Sequence, residues 1–308
     1  MTDRVVIETI GLTKRYDDVE ALRGLDLRVP SGSIFGFLGR NGAGKTTTIK
    51  VLLGMARPTS GEARVFGLTP IDARAGVEIR SRTAFVSDEK DLYNYMTIAE
   101  MIAFTRSFYP RWSAELEQKY LRRFELSSGR EIKGLSRGTR TKLALLLALC
   151  RGTELLMLDE PTSGLDPAMA EDVLQALVGH VATEGATVFF SSHQLSEVEQ
   201  IADHIAIVDC GQTVVSGALD DLRAQYQRIQ LVFDGDAPEF RIHAPGSHRL
   251  QRRGRVLTIL SSNGGQAVLD ELRRYRPASI DVSPVSLKEI FLESVKAAEG
   301  ADSAEKGH

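Results

Sequence analysis

The stretch Gly39-Arg40-Asn41-Gly42-Ala43-Gly44-Lys45-Thr46 constrains this chain more than any other. It meets every fixed position of the pattern G-x-x-x-x-G-K-[ST]. Ile34-Phe35-Gly36-Phe37-Leu38 precedes it, an apolar run of strand length. From Thr47 to Met55 the pattern predicts a helix with Ile49, Leu52 and Leu53 on one face. A glycine-rich loop between strand and helix can turn successive N–H groups toward one point, and the helix N-terminus adds partial positive charge. Such a loop suits a triphosphate. Its expected lining is Gly39, Asn41, Gly42, Ala43, Gly44 and Thr47, with Lys45 reaching the outer phosphates and the Thr46 hydroxyl on the Mg²⁺ they carry. The alternative is a strand-to-helix turn that binds nothing, and the flanks argue against it.

Two later strands end in residues that fit the same chemistry. Leu155-Leu156-Met157-Leu158 reads as a buried strand delivering Asp159-Glu160. Mg²⁺ is a hard cation that takes oxygen ligands. Asp159 suits it together with Thr46, and Glu160 suits the acceptance of a proton from an attacking water, or its orientation. Adjacent carboxylates alone are usually solvated; the apolar run and the upstream loop point these inward. Ala186 to Phe190 reads as another buried strand, ending at Ser191-Ser192-His193. His193 can hydrogen-bond a γ-phosphate and hold water and Glu160 in place. A lone histidine is more often structural, so its role rests on the company it keeps.

Around these strands the chain alternates between strand and helix, predicting an α/β fold with a mostly parallel sheet. Val5 to Ile7, Leu12 to Tyr16 and Ala21 to Val29 make a β-rich N-terminal part. Tyr16 has the residue type of an adenine-stacking platform, although an ordinary half-buried strand tyrosine is the simpler reading. Thr97-Ile98-Ala99-Glu100 is a capping box opening a helix that Pro110 stops, and Ser113 to Phe124 is a second helix. Two helices without an intervening strand form a helical insert, at about residues 88–150. Lys133 to Thr139 reads as a polar loop before an apolar helix from Arg140 to Cys150, and Pro167 opens a helix to about Val181. Leu195 to Ala202 is helical, and Ile205 to Val208 with Gln212 to Val215 forms a hairpin. After Ala224 the character changes to a small α+β unit over 225–296, followed by a polar tail, 297–308, expected to be disordered. Its expected elements are strands at Arg228 to Phe233, Arg255 to Leu260 and Ile280 to Val282, and helices at Gln266 to Tyr275 and Ser286 to Val295.

Composition narrows the partners. The formal net charge of −3 offers no basic field for nucleic acid. Cys150 and Cys210 lack metal-ligand spacing and are expected to be buried thiols in a reduced, cytoplasmic setting. The N-terminus lacks the apolar region of a leader peptide, and the longest apolar run, Leu143 to Cys150, is too short to span a membrane. Any role at a membrane therefore needs a separate membrane partner.

Taken together, these motifs resemble the ATP-binding subunit of an ABC transporter, of the exporter type encoded as a separate chain. The resemblance covers about residues 5–222, with a weaker echo in Val285 to Leu292. It implies a P-loop NTPase core, an ATPase domain over 1–224 with its helical subdomain, and ATP and Mg²⁺ as ligands. Gly39 to Thr46 is similar to the Walker A loop, Leu155 to Asp159 to Walker B, and Ser163-Gly164-Leu165-Asp166 to the D-loop. Glu160, His193 and Lys45 take the catalytic positions, and Tyr16 falls at the adenine-stacking one. Leu135-Ser136-Arg137-Gly138-Thr139 resembles the LSGGQ signature. In the family two subunits pair head to tail, so that Ser136 and Gly138 of one would close over the ATP of the other. The partners implied are a separate transmembrane permease and a second ATPase subunit, identical or different. The implied place is the inner face of the cell membrane.

Two departures stand out. Arg137 and Thr139 replace a glycine and the glutamine of the signature, and Arg137 is expected to face solvent or a partner rather than the nucleotide. Asp88 stands where the family has the glutamine that touches Mg²⁺ or water, and is carried as a candidate metal ligand. The alternative function is a soluble or regulatory ABC-type ATPase acting without transport.

Overall fold

The structure is a computed structural model that describes residues 4–237, 242, 247–262 and 266–293. Its contacts divide the chain into two compact units, Met1–Ser216 and Gly217–His308.

The first unit holds two sheets. In the antiparallel one, β1 (Val5–Tyr16) lies between β2 (Val19–Pro30) and β4 (Ser60–Val65). The sequence divides β1 into two pieces, whereas the strand runs on through Gly11. A register shift between Thr9 and Leu12 absorbs the polar interruption, and the Gly11 N–H donates to Asp26 Oδ1 at 2.6 Å. On β2, Leu22, Leu25, Leu27 and Val29 all turn inward.

The second sheet positions the site. Its order is β5-β6-β7-β3-β8-β9, from β3 (Ile34–Gly39), β5 (Thr83–Val86), β6 (Leu155–Asp159), β7 (Thr187–Ser192), β8 (His204–Asp209) and β9 (Gln212–Ala218). The pairs from β5 through β8 are parallel. Both faces are covered, so β3, β6 and β7 are buried throughout, as their unbroken apolar runs require. Register sets the geometry: Leu38 lies opposite Ser192, and Asp159 opposite Ser191. The carboxyl ends of β6, β7 and β3 therefore open onto one edge. A core of Leu25, Val29, Ile49, Leu52, Phe35, Phe37, Met157 and Phe189 joins β2, the first helix and the parallel sheet.

That helix, α1 (Lys45–Leu52), begins two residues earlier than its apolar face suggests. Helix α2 (Ala73–Arg82) escapes the sequence reading because only Gly76 and Ile79 are buried; Asp72, whose side chain accepts from the Arg74 and Ala75 N–H groups, is the local signal for it. The insert contains α3 (Ile98–Arg106), with the Thr97–Glu100 capping box closed in both directions, and α4 (Ala114–Arg123), capped by Ser113. Helix α5 (Arg137–Leu149) starts three residues before the expected Arg140, directly after its cap Ser136. Helices α6 (Pro167–Glu184) and α7 (Leu195–Ile201) follow β6 and β7. Cys150 is buried, and burial pushes its thiol up to about 12. Cys210 departs from expectation: it is exposed, in a left-handed turn between β8 and β9.

The second unit has an antiparallel sheet ordered β11-β12-β10-β13, from β10 (Tyr226–Val232), β11 (Ser247–Arg253), β12 (Val256–Ser262) and β13 (Ser279–Pro284). Ile229, Leu231, Leu257 and Ile259 pack there with Val268 and Leu272 of α9 (Gln266–Arg273). Short α8 (Leu219–Gln225) buries only Leu219 and Leu222, too few to mark a period, and the polar edge strand β11 has no apolar alternation, so neither is predicted. Residues 287–293 are helical and Ser286 precedes them, its side chain accepting from the Glu289 N–H at 3.3 Å; residues 294 and 295 of the expected helix and the 297–308 tail lie outside the described residues.

Candidate functional site

The site begins with the loop between β3 and α1. Gly44 occupies the helix N-cap with φ 102°, and a Cβ there would lie 2.7 Å from the Ala21 carbonyl oxygen. Only glycine fits both restrictions. Because α1 starts at Lys45, Lys45 and Thr46 stand in its first turn, where backbone N–H groups have no helical partner. Ala43 is buried against the core, while Asn41 and Gly42 are exposed at the loop tip. Thr47, half-buried, follows in the same turn.

Side chains from α1, β6 and β7 converge here. The Thr46 hydroxyl donates to Asp159 Oδ2 at 2.8 Å. Asp159 is 3% exposed, and its other oxygen accepts from the Ser191 hydroxyl at 2.6 Å. The same Ser191 oxygen accepts from the Glu160 N–H at 3.0 Å. One fully buried hydroxyl thus ties the β6 aspartate to the backbone of the next residue.

Glu160 is held on all sides. One oxygen pairs with Lys45 Nζ at 3.2 Å, and the other meets His193 Nδ1 at 2.8 Å. Its backbone has φ 48°, a left-handed conformation costly for a non-glycine residue. Three contacts hold that turn: the Ser191 bond, the Ser163 N–H to the Glu160 carbonyl at 3.2 Å, and Lys90 Nζ to the same carbonyl at 3.5 Å. Lys45 also donates to the Gly39 carbonyl at 2.8 Å, so its ammonium sits inside the loop.

The other candidates are placed differently. Tyr16 ends β1 with its ring exposed and Lys14 Nζ 4.6 Å from the ring centroid. The Ser136 hydroxyl accepts from the Thr139 N–H at 3.2 Å, and Gly138 is buried against Met169. Among the described residues, no hydrogen bond joins Tyr16, Ser136 or Gly138 to the Thr46–Asp159–Glu160 cluster. Arg137 is half-exposed but does not simply face solvent. Its guanidinium lies 3.5 Å from Asp88 Oδ1 and 3.2 Å from Ser163 Oγ. Asp88, the candidate metal ligand, thus has its carboxylate against Arg137, with no hydrogen bond to Thr46 or Asp159.

Two site residues escape the sequence reading. Ser191 carries a signal only through register, as the strand residue opposite Asp159. Lys90 is buried although it sits in a polar loop; burial lowers its ammonium to about 8, against the pull of Asp88 and Asp159. Nothing in the local pattern marks it.

A glycine loop, a buried aspartate beside the loop threonine and a glutamate bridging lysine and histidine define a P-loop ATPase. Comparison with known proteins narrows the class. The family model described as ABC transporter matches residues 22–163. The bacitracin transport ATP-binding protein BcrA of Bacillus licheniformis is 31% identical over 298 residues, 94% of this chain and 95% of its own length. The ABC transporter ATP-binding protein YtrB of Bacillus subtilis (strain 168) is 27% identical, covering 93% of this chain and 97% of its own. The daunorubicin/doxorubicin resistance ATP-binding protein DrrA of Streptomyces peucetius is 35% identical over 71% of this chain and 67% of its own. A solved ATP binding subunit of an ABC transporter matches with TM-score 0.64 and 28% identity, over 71% of this chain and 92% of its own. The dimeric structure of MJ0796, a bacterial ABC transporter cassette, shares the fold at TM-score 0.62 and 22% identity, over 69% of this chain and 98% of its own. The chain belongs to the ABC transporter ATP-binding proteins. It binds and hydrolyses ATP, and its membership favours the transporter reading over an ATPase acting without transport.

Proposed function

We propose that this chain powers export through a separate transmembrane permease, with Mg-ATP bound on the Gly39–Thr46 loop and hydrolysed by water that Glu160 activates. The observation that carries the reading is the unbroken set of contacts from Thr46 through Asp159 and Ser191 to Glu160, His193 and Lys45. Lys45 would exchange Glu160 for the outer phosphates, freeing the carboxylate to take a proton from water. His193 would hold the carboxylate and contact the γ-phosphate. Tyr16 would stack on adenine, and the loop N–H groups of Gly39, Asn41, Gly42, Ala43, Gly44 and Thr47 would line the phosphates.

Thr46 and Asp159 are the residues that would hold Mg²⁺. Their oxygens already converge, and hard oxygen donors suit that ion. No group of three or more His, Cys, Asp or Glu residues among the described residues could hold a metal. The ion would be completed by phosphate oxygens and water. When bound, Mg²⁺ supplies charge neutralisation of the β- and γ-phosphates.

Export and the permease rest on relatives named for bacitracin transport and for daunorubicin/doxorubicin resistance. Among the described residues no helix is long and apolar enough to cross a membrane. As a family member the chain would meet a permease at the cytoplasmic face. Tyr93, Tyr95, Phe104 and Phe108 expose contiguous rings beside a groove, an apolar surface suited to a partner. We read residues 1–224 as the ATPase domain, a boundary that falls within α8 whereas the contacts divide after Ser216, 88–150 as its helical subdomain, and 225–296 as an accessory domain with a stabilising role. Ser136 and Gly138 would close over the ATP of a second subunit. Sedimentation of Glu160→Gln tests this: Mg-ATP should convert monomer to dimer. A monomer with ATP demonstrably bound would contradict a self-complementary sandwich.

A further inference from the structure

The sheet collects an unusual load of negative charge at the mouth of the site. β5 and β6 are parallel neighbours, with Val86 opposite Leu158. Asp88 follows Val86 by two residues, and Glu160 follows Leu158 by two. Adjacent strands run about 4.8 Å apart, so three carboxylates, Asp88, Asp159 and Glu160, leave one edge together. Lys90 Nζ links the two strand ends, donating to the Ser87 carbonyl at 2.7 Å and lying 3.5 Å from the Glu160 carbonyl. Glu160 has Lys45 as its counter-ion at 3.2 Å. Asp159 is satisfied by two hydroxyls, from Thr46 and Ser191. Asp88 has Arg137, which reaches it from the first turn of α5.

The arginine is anchored at both ends of its reach. Its guanidinium also donates to Ser163 Oγ at 3.2 Å. Gly164 lies directly beneath it: with φ 71°, a Cβ there would come within 2.6 Å of the guanidinium. The Ser163 N–H in turn holds the Glu160 carbonyl. Lys90, buried nearby, feels Asp88, Asp159, Glu160 and Arg137 together, which fits one shared cluster of charges.

We propose that Arg137 is the built-in counter-ion of Asp88, cancelling the charge of that acid so that a nucleotide polyphosphate can bind beside it. Arg137 is in this respect a positioning residue acting through Asp88. The proposal rests on the phosphate-site reading above and concerns binding within one chain, independent of pairing between subunits.

The test titrates a fluorescent, non-hydrolysable ATP analogue with Mg²⁺ against the full chain and three variants, Arg137→Ala, Asp88→Asn and the double substitution. Arg137→Ala leaves a bare carboxylate and should weaken binding about two- to five-fold, the range of an exposed charge pair. Asp88→Asn leaves an uncancelled arginine and should tighten binding by a similar factor. The double variant should return to within about two-fold of the parent, and all three differences should shrink in 1 M salt. A purely structural role for either residue would only weaken binding, and the second change would not restore it. A double variant as weak as Arg137→Ala overturns the proposal. So does weaker binding by Asp88→Asn, which would assign Asp88 to the metal instead. Lys45→Ala is the control: if it binds as the parent does, the phosphate-site reading itself fails, whatever Arg137 does.

Discussion

Ser191→Ala removes one oxygen atom and tests how the site is held. That oxygen is fully buried and makes two bonds: it donates to Asp159 at 2.6 Å and accepts from the Glu160 N–H at 3.0 Å. A hydrogen bond to a charged group contributes about 1.5–3 kcal/mol, and a buried N–H left unpaired costs about 1–3 kcal/mol. Allowing for partial relaxation, the variant should lose about 2–4 kcal/mol. Urea unfolding followed by the fluorescence of Trp112, in the loop between α3 and α4, reads the first unit directly. The second consequence is catalytic. The left-handed turn at Glu160, itself costing about 1–3 kcal/mol, loses an anchor. A carboxylate displaced by about 1 Å lowers turnover on the order of 10²-fold. Stability reduced by less than about 1 kcal/mol, with turnover unchanged, would refute the account of Ser191 as the tie between β6 and Glu160.

Other predictions follow from the same geometry. Gly44→Ala must adopt a left-handed backbone, costing about 1–2 kcal/mol, and drive a methyl against the Ala21 carbonyl. Nucleotide affinity should fall at least about tenfold, and retention of parental affinity in the same titration would contradict the loop geometry. His180 is buried with Nδ1 unpartnered, and burial, with Lys119 nearby, lowers it from 6.5 to about 4. Its neutral form suits the folded state, so the stability it preserves is complete above pH 6.5 and lost as pH falls toward 4. The loss should reach about 3 kcal/mol. His180→Leu should flatten that part of the stability profile; an unchanged slope from pH 6.5 to 4 would show that another group sets it.

The legible parts were those in which the chemistry lies in consecutive residues. Gly39 to Thr46 is read directly, because a phosphate loop needs its glycines, lysine and threonine at fixed spacing. Asp159 is legible because it ends a short apolar run, the mark of a buried parallel strand, whereas His193, a lone histidine after Ser191-Ser192, is read only through the motifs around it. Ser191 and Lys90 were not legible in this way. Their roles depend on which strands lie side by side, and the order β5-β6-β7-β3 is set by crossovers rather than by local pattern. The Arg137–Asp88 contact joins residues 49 apart and has no local signature. Helix α2 has no apolar sequence signal for a simpler reason: it buries too little apolar surface to generate a 3.6-residue period. Cys210 shows the opposite error, since apolar neighbours in β8 suggested burial while the tight turn carries it outward.

The most direct test of the central claim is steady-state hydrolysis of Mg-ATP by Glu160→Gln, with nucleotide binding measured on the same preparation. The substitution keeps the shape of the side chain and removes the charge that pairs with Lys45 and meets His193. Binding should persist while turnover falls about 10²–10⁴-fold, the range of a positioned base. Turnover equal to that of the parent would remove Glu160 from the chemistry and contradict the mechanism.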